Sequence, residues 1–422
     1  MAVPLRPQLR PLEVVQVGPK EEVLFALRDP EGYGQTVILP YGAVLLAVLM
    51  DGRHTLAEIQ TLFKSQTGAE APLADVEKIV RRLDDAYLLT GGRFERYRRV
   101  QVEQYLNAPV RPASHAGGAY EGEAEALREQ LGQLFTNDDG PGEIDPQAAS
   151  DGRQLRGIIS PHIDLHRGGS AFAWSYKQVA QYSDADLFVI FGTAHSAMEQ
   201  LFCVSRKDFD TPLGIVRTDG RFIDRLAEDL ASSVTGQQID LFEDEMAHRF
   251  EHSIELQAMF LQYVLGGKRE FRIVPVLAGS FDGFLAEGLQ PDESPLVQAF
   301  LAATLAAAEG HSGKVCYISG ADFAHVGQRF GDEWLLDAER LAEQSEDDQK
   351  LLRAACRGDS AGFFSHVAEQ LDCRRICGLS PTYTMLKLLG PSRGELLKYD
   401  QAVEPDGTSC VSFASVAYFA TS

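Results

Sequence analysis

Four side chains in this sequence have the chemical types and the positions that suit a metal ion. His162 and His195 each follow a short apolar segment, and Asp322 and His325 follow a third such segment. Imidazole is a common ligand for iron, copper and zinc, and two imidazoles with one carboxylate leave coordination positions open for substrate or oxygen. We therefore predict a transition-metal site with His162, His195 and Asp322 as ligands, and His325 as the alternative third ligand.

A second pair of histidines, His248 and His252, is spaced four residues apart, so both lie on one face if this segment is helical. With Glu251 they match the H-x-x-E-H motif of zinc peptidases, in which the glutamate is the general base. A string with three fixed positions often arises by chance, and a zinc site here would leave His162 and His195 without a role. We rank the zinc peptidase behind the first hypothesis.

Beyond residue 111, short segments rich in isoleucine and valine alternate with helical patterns. The strand-like segments are residues 155–160, 186–191, 271–277 and 314–319, and the clearest helical ones are residues 220–230 and 253–265. Such alternation predicts an α/β domain with a mainly parallel sheet sandwiched by helices. Ligands bind beyond the carboxyl ends of parallel strands, so the residues that follow the strands should meet at one edge. Glycines near the histidines, among them Gly192 and Gly320, allow close backbone approach there.

The pattern of the first 105 residues predicts a separate small domain. Thr55 precedes an amphipathic segment and Glu58 lies three residues further on, which is the signature of a capping box at a helix start. Further helical patterns and a strand-like segment before a glycine pair predict a winged-helix layout. We predict a winged-helix domain over residues 1–105 and an α/β domain over residues 106–422, with a linker at residues 100–110.

Charge and cysteine usage restrict the classes of function. The formal net charge is −22, and residues 1–110, with 13 basic and 14 acidic side chains, contribute almost none of it. A large domain with this much negative charge should repel nucleic acid phosphates, so a nucleic-acid partner is not expected. Six cysteines without a Cys-x-x-Cys pair suit reduced thiols. No segment is long and apolar enough for a membrane span, and the start lacks a secretory signal, so we predict a cytoplasmic protein.

One cysteine has two interpretations. Cys377 follows Arg374 and Arg375 closely, and two guanidinium groups could lower the pKa of its thiol and make it reactive. Cysteine is also among the residues most often buried in protein cores, where it acts as a small apolar side chain. We favour the core cysteine.

The large domain carries six motifs in a fixed order: Pro161-His162, Gly192-x-x-His195, Thr211-Pro212-Leu213-Gly214, Glu251-His252-Ser253-Ile254-Glu255, Asp322-Phe323-x-His325-x-Gly327-x-Arg329-Phe330 and Cys377-Gly378-x-x-Pro381. Together with the opening Arg111-Pro112-Ala113, they resemble the Memo family, the B component of AmmeMemoRadiSam systems. The resemblance implies a fold similar to that of class III extradiol dioxygenases, which use non-haem iron(II). It also implies metal ligation by His162 and His195, with His252 as a nearby acid/base group or ligand. We add His325 as a second catalytic candidate.

The sequence departs from the Memo pattern at Ala324, where several members of the family carry a cysteine ligand. An alanine cannot bind metal. Asp322, His325 or His252 then completes the site, or the metal is held weakly or is absent. The sequence alone leaves these alternatives open.

The small domain has a resemblance of its own. Asp51-Gly52-x-x-Thr55-x-x-Glu58-Ile59, followed by Leu83 and Tyr87-Leu88-Leu89, resembles the PqqD-type winged-helix family. Members of that family bind precursor peptides for radical-SAM enzymes, so the resemblance implies a precursor peptide or a radical-SAM protein as partner. A winged helix that only packs on its neighbour or dimerises is the alternative.

Two classes of function follow from the predicted pocket. In the first, the protein is a redox enzyme of the extradiol-dioxygenase type, with iron as the expected metal, copper or zinc as alternatives, and His252 moving protons. In the second, the same histidines grip a peptide or a small molecule without turnover. The missing cysteine at position 324 favours the second class. The set of two imidazoles and one carboxylate, which leaves coordination positions open for substrate and oxygen, favours the first.

Overall fold

The computed structural model describes residues 3–18, 23–145, 148, 152–233 and 239–421. The chain divides into two compact units, Met1–Asn107 and Ala108–Ser422. The boundary after Asn107 falls within the predicted linker at residues 100–110, of which residues 100–107 are helical. In the described ranges, we find no helix with the length and apolar character needed to cross a membrane.

The described part of the small unit contains a three-stranded antiparallel sheet, in the order β1-β2-β3, and four helices. The elements are β1 (Glu13–Val17), β2 (Leu24–Arg28), β3 (Val37–Pro40), α1 (Tyr41–Val48), α2 (Leu56–Thr67), α3 (Leu73–Asp85) and α4 (Gly92–Asn107). The capping-box prediction is confirmed, because the Thr55 N–H donates to Glu58 Oε2 at 2.7 Å and the Glu58 N–H donates to Thr55 Oγ1 at 3.4 Å. The winged-helix assignment stays a prediction.

In the large unit, strands and helices alternate along the described chain. In order they are β4 (Val110–Arg111), α5 (Ala124–Thr136), β5 (Leu155–Ser160), α6 (Leu165–Tyr182), β6 (Leu187–Thr193), β7 (Phe202–Val204), β8 (Asp208–Phe209), α7 (Gly220–Ser233), α8 (His252–Leu265), β9 (Arg272–Ala278), α9 (Asp282–Glu287), α10 (Pro295–Glu309), β10 (Val315–Gly320), β11 (His325–Val326), α11 (Ala338–Cys356), α12 (Ser360–Glu369), α13 (Leu379–Leu388), β12 (Ser392–Val403) and β13 (Cys410–Ala420). Short 3-10 helices cover Glu245–Phe250, Pro291–Glu293 and Gln328–Phe330.

The central sheet of this unit is mixed. Its strand order is β11-β13-β5-β10-β6-β9-β7, and β12 pairs with β13. The four central strands β5, β10, β6 and β9 run parallel, whereas β13 and β7 run antiparallel to their neighbours. The predicted α/β fold with a largely parallel sheet is confirmed. The antiparallel strands β13 and β7 were not predicted from the sequence.

Helices cover both faces of the sheet, as the alternation of side chains along β6 shows. Leu187, Val189 and Phe191 belong to one hydrophobic core, which includes residues of α7, α10 and α13. Phe188 and Ile190 belong to a second core, built with α5, α6 and α8. Successive strand residues point to opposite faces, so a fully apolar strand such as β6 is stable only between two helical layers.

The register of the parallel strands determines which loops meet. Gly320 at the end of β10 aligns with Ser160 of β5 on one side and with Gly192 of β6 on the other. The three strands therefore end at the same level, and the loops that follow them leave the sheet side by side. The last of these strands in the sequence, β10, lies between the two earlier ones.

Candidate metal centre

His162 lies in the loop after β5 and is 2% exposed. Its Nδ1 lies 2.9 Å from the carbonyl oxygen of Gly320, so this nitrogen carries the proton and donates, and Nε2 keeps a lone pair for a ligand. Burial, assisted by the nearby His195, lowers the pKa of His162 to about 3. The ring is therefore neutral at physiological pH, which is the form that binds metals.

His195 lies in the loop after β6, against the carboxylate of Glu251. Its backbone N–H donates to Glu251 Oε2 at 2.9 Å, and its Nδ1 lies 3.0 Å from Glu251 Oε1. Burial opposes protonation, but the hydrogen bond and the charge of Glu251 outweigh it and raise the pKa of His195. Burial by itself would raise the pKa of Glu251. The hydrogen bonds and the charge of His195 outweigh burial and hold the pKa of Glu251 well below its usual range. A carboxylate that bonds the far nitrogen of a histidine is the usual support of a metal ligand.

Cys377 enters the same space from the segment just before α13. Its Sγ lies 3.3 Å from Nε2 of His162 and 3.6 Å from the carbonyl oxygen of Asp322. Burial raises the pKa of the Cys377 thiol well above its usual value, and the Asp322 carboxylate adds to this rise. The rise in pKa opposes the alternative of a reactive, low-pKa thiol, and the favoured core cysteine was wrong in position, because the thiol faces the two histidines and not the apolar core.

Metal-binding atoms converge in two overlapping groups among the described residues. The atoms of His162, His195 and Cys377 lie within 4.8 Å of one another, and so do those of His195, Glu251 and His252. In the second group Glu251 already bonds Nδ1 of His195, which leaves the first group as the better set of ligands. Sulfur supplies its third member, where the sequence led us to expect a carboxylate.

His252 is the first residue of α8 and lies beside both histidines. Its ring centroid is 4.7 Å from that of His195 and 5.3 Å from that of His162. Its Nδ1 lies 3.4 Å from Glu251 Oε1, and its side chain is 35% exposed. Burial lowers the pKa of His252 to about 3. This ring therefore borders the pocket as a neutral, solvent-accessible group.

Asp322 lies beside His162 but outside both groups of converging atoms. Its Oδ1 accepts the backbone N–H of His162 at 3.0 Å, and its Oδ2 is 3.7 Å from Nε2 of that ring. Burial raises the pKa of Asp322 to about 6. The predicted role of Asp322 as a ligand is thus not favoured by the geometry, because the carboxylate holds the loop that carries His162.

His325 begins β11 and is half-buried. Its Nδ1 lies 3.0 Å from the carbonyl oxygen of Phe323, and its ring packs edge-on against Phe330 at 5.2 Å between centroids. Burial lowers the pKa of His325, and the Asp322 carboxylate opposes that change. His325 belongs to neither group of converging atoms, so its place is at the margin of the pocket.

Ala324, the position that raised doubt about the third ligand, is fully buried. Its backbone N–H donates to Ser412 Oγ, and its carbonyl oxygen accepts the Ser412 N–H, both at 2.9 Å. The sulfur at the site comes from Cys377 instead. The motif Cys377-Gly378-x-x-Pro381 was the signal in the sequence that pointed to this residue.

His248 lies apart from the site, and the predicted pairing with His252 on one helical face was wrong. The 3-10 helix Glu245–Phe250 ends before α8 begins, so the two residues belong to different helices. His248 is buried with its Nε2 3.3 Å from the carbonyl oxygen of Cys203. The H-x-x-E-H string therefore does not form the helical zinc site of a peptidase here.

A buried ion pair supports the start of α8. The fully buried Arg111 bonds Glu255 Oε2 at 2.6 Å, the His248 carbonyl oxygen at 2.6 Å and the Glu251 carbonyl oxygen at 2.8 Å. Glu255 also accepts from His115, whose ring centroid lies 5.8 Å from that of His252. Burial opposes ionisation, but the His115 and Arg111 contacts prevail and lower the pKa of Glu255 to about 2. Neither Arg111 nor His115 was predicted from the sequence to take part in the site.

Two glycines let α8 approach the strand ends, as predicted. A Cβ at Gly192 would lie 2.5 Å from Ser253 Oγ, and one at Gly320 would lie 2.6 Å from the Ser253 carbonyl oxygen. No larger residue fits without moving the helix that carries His252.

A cavity of about 200 Å³ adjoins the site on the side of Cys377. Its walls include Thr193 and Ala194 next to His195, Phe281 after β9, and Arg375 close to Cys377. The cavity provides room for a small ligand beside the converging side chains.

The residues present fit a transition-metal ion. The Nδ1 atoms of His162 and His195 are engaged, which leaves their Nε2 lone pairs available for an ion, and the third atom of the group is a sulfur. Two imidazoles and a cysteine sulfur, whose proton a metal ion displaces on binding, suit copper, zinc or iron, whereas hard ions such as magnesium prefer oxygen ligands. Fold and site together define an α/β protein with a histidine and cysteine pocket at the carboxyl edge of its parallel strands.

Comparison with known sequences names the family. The sequence model described as "Memo-like protein" matches residues 111–417, and the chain belongs to the Memo family. A MEMO1 family protein of Aquifex aeolicus is 26% identical and aligns over 98% of this chain and 100% of its own length, so the alignment includes the small unit. A MEMO1 family protein of Methanosarcina barkeri is 30% identical over 63% of this chain and 86% of its own. A third, from Ignicoccus hospitalis, is 36% identical over 40% of this chain and 56% of its own.

Proposed function

We propose that the large unit is a metal-dependent redox protein with one metal centre held by His162, His195 and Cys377. The convergence of their ligand atoms within 4.8 Å carries this proposal. A set of two imidazoles and one thiolate is typical of copper sites, and iron is the second candidate. Such an ion, when bound, supplies redox chemistry and open positions for an oxygen-rich substrate and O₂, as in a dioxygenase-type reaction.

The surrounding residues have separate roles in this proposal. Glu251 fixes the ring of His195, and the Gly320 carbonyl oxygen fixes that of His162. His252 faces the same space with a side chain that is 35% exposed, so it can exchange protons between a bound substrate and solvent. The cavity beside Cys377 holds the rest of the substrate.

Metal analysis of protein purified without oxygen tests the proposal. We expect about one equivalent of copper or iron per chain, and we expect His162→Ala, His195→Ala and Cys377→Ser each to lose it. Cys373→Ser is the matched control, because Cys373 is an exposed thiol four residues from Cys377. A wild-type protein that takes up neither copper nor iron in direct titration contradicts the proposal.

A non-catalytic ligand-binding protein is the second candidate function. The cavity beside Cys377 supports it, since this space can hold part of a peptide or a small molecule whether or not a metal is bound. Calorimetry with candidate ligands separates the two functions. Binding that is equally tight in wild-type protein and in the His162→Ala/His195→Ala double variant favours the second candidate.

We also propose that the small unit binds a precursor peptide or a radical-SAM protein. Its support is the resemblance to PqqD-type proteins over Asp51, Gly52, Thr55 and Glu58, and the presence of the unit within the alignment to the Aquifex relative. A purified radical-SAM protein encoded beside this gene should be retained by the full chain. Equal retention by a chain that lacks residues 1–107 argues against the proposal.

A reducing, cytoplasmic location is proposed from the cysteines. All six are free thiols, and Cys203, Cys316 and Cys410 are buried. Free thiols persist in reducing compartments. Cell fractionation with an antibody to the chain checks this location.

A further inference from the structure

We infer that Arg375 is a positioning residue for the Cys377 thiol, acting through its ion pair with Asp332. The inference rests on the proposed metal site. It concerns the segment of residues 371–377, which carries the thiol to the histidines. Three observations support it: the backbone conformation of the segment, the contacts of Arg375, and the anchoring of the segment on its opposite side.

The segment holds three non-glycine residues in the left-handed region of backbone conformation. Their φ angles are 49° at Leu371, 45° at Asp372 and 53° at Arg375. Side chains with a Cβ atom are strained there, so such residues persist only where surrounding contacts determine the conformation. Glycine would suit position 375 better by backbone criteria. The presence of arginine indicates that its side chain contributes something that glycine lacks.

The Arg375 guanidinium connects the segment to the loop after β11. Its Nη2 lies 2.9 Å from Asp332 Oδ1, and its Nη1 lies 3.3 Å from Asp332 Oδ2. The same Nη1 donates to the carbonyl oxygens of His325 at 3.2 Å and Cys373 at 3.1 Å. Asp332 is itself fixed, because its Oδ2 accepts the Gly327 N–H at 2.7 Å. One guanidinium thus joins three points of the chain.

Arg374 anchors the opposite side of the segment in the interior. Its Nη1 lies 2.6 Å from Asp348 Oδ1, with side chains that are 4% and 0% exposed. Asp348 also accepts from the Tyr399 hydroxyl at 2.9 Å. Losing one member of a buried pair leaves an uncompensated charge, so this pair is needed for folding. The Arg375 and Asp332 side chains are 39% and 13% exposed, so we expect removal of their pair to cost less folding free energy than removal of the buried pair.

The path from Arg375 to the thiol is short and closely bonded. The Ile376 N–H donates to Asp372 Oδ1 at 2.8 Å, and the Cys377 carbonyl oxygen accepts the Thr193 hydroxyl at 2.9 Å. The backbone angles at Arg375 set the direction in which the next two residues leave. A change at Arg375 therefore moves the Sγ atom that lies 3.3 Å from His162 Nε2.

Cobalt(II) titration of the full chain tests the inference, with the thiolate-to-cobalt absorption band as the readout. We expect Arg375→Ala and Asp332→Asn each to weaken cobalt binding about tenfold and to lower the band, as loss of a group that orients a ligand does. Arg375→Gly relieves the backbone strain without restoring the ion pair, so we expect it to resemble Arg375→Ala. Arg357→Ala is the control, since Arg357 pairs with Asp359 on the surface with 64% and 43% exposure. Unchanged affinity and band in Arg375→Ala and Asp332→Asn overturn the inference.

A second measurement separates this inference from the metal site itself. In metal-free protein that carries Cys373→Ser, the alkylation rate of Cys377 by iodoacetamide reports how the thiol is held, with peptide mapping to assign the modified residue. We expect Arg375→Ala and Asp332→Asn to raise that rate about tenfold, with unfolding midpoints that show a folded protein. If wild-type protein binds no cobalt, the proposed function fails while a raised rate still supports the positioning role. An unchanged rate in both variants contradicts the positioning role, whatever the protein does with metal.

Discussion

The Sγ atom of Cys377 lies 3.3 Å from Nε2 of His162, although the two residues are separated by 215 positions in the chain. The contact forms because β5, which precedes His162, pairs with β10, and α13, which follows Cys377, packs on β10 and β6. Neither residue can recruit a metal ion alone. The site therefore exists only in the folded large unit, and its properties depend on the groups that hold these side chains.

Glu251 is expected to determine how tightly the site holds a metal. Glu251→Gln keeps the shape of the side chain but removes the charge that fixes the His195 ring through Nδ1. We expect metal affinity to fall about 10- to 100-fold, the usual effect of removing the group that orients a metal-binding histidine. Titration with copper or cobalt measures this, with Glu243→Gln on an exposed carboxylate that bonds Gln200 as the control. Equal affinities in wild type and Glu251→Gln would show that Glu251 has no such role.

Ala324→Cys should not improve metal binding. Ala324 is fully buried, and the sulfur at the site already comes from Cys377. The added sulfur atom has to fit into a packed interior, and such overpacking costs about 1–3 kcal/mol of unfolding free energy. Urea unfolding and metal analysis of the variant test both statements. A variant that binds metal where the wild type binds none would mean that position 324, and not Cys377, completes the site.

Gly192→Ala should disturb the site by moving α8. The added Cβ would lie 2.5 Å from Ser253 Oγ and 2.6 Å from Ile254 Cγ1, so the helix that begins at His252 has to shift. We expect a loss of about 1–3 kcal/mol in unfolding free energy, together with weaker metal binding. Gly220→Ala is the matched control, because no atom lies within 4 Å of a Cβ at that position. Similar stability of the two variants argues against a close-packed strand end.

The small unit should lose stability in acid through Asp29. This carboxylate binds Arg10 Nη1 at 2.7 Å and accepts the N–H groups of Tyr33 and Gly34. Burial by itself would raise the pKa of Asp29, but the hydrogen bonds from Arg10 and Gly34 outweigh burial. The pKa of Asp29 in the folded protein is therefore lower than its pKa in the unfolded chain. The stabilisation is therefore complete above the unfolded pKa of about 3.9, and it is lost as the pH falls through the lower folded pKa.

Asp29→Asn tests this pH dependence. At pH 7 we expect it to cost about 1–3 kcal/mol, because hydrogen bonds to a charged group are lost, and we expect the difference from wild type to shrink below about pH 4. Hydrogen exchange of residues 24–40 in the full chain measures the effect within the small unit. Glu31→Gln serves as the control, since the Glu31 side chain is 57% exposed in its pair with Arg10. A difference that stays constant from pH 7 to pH 3 contradicts the assignment to Asp29.

Local patterns in the sequence predicted the elements that carry the site. The segments at residues 155–160 and 314–319 became β5 and β10 almost residue for residue, because a strand buried on both faces needs a largely apolar sequence. Because His162 and His195 each follow a predicted parallel strand, the sequence then predicted that they are neighbours at one edge of the sheet. The capping box at Thr55 could also be predicted from the sequence, because its hydrogen bonds join residues only three positions apart.

Only the tertiary structure decided which third side chain lies with His162 and His195 at the candidate site. Sequence reasoning placed Asp322 there because it follows a strand, but the backbone turns its carboxylate toward the His162 N–H. Cys377 takes that place because β10 inserts between β5 and β6, and the segment before α13 folds over their ends. His248 and His252 likewise match a helical motif in the sequence, yet a change of helix after Phe250 separates them. The periodicity of the sequence specifies local conformation. The contact between Cys377 and His162, which are 215 positions apart, depends on tertiary packing that no local pattern encodes.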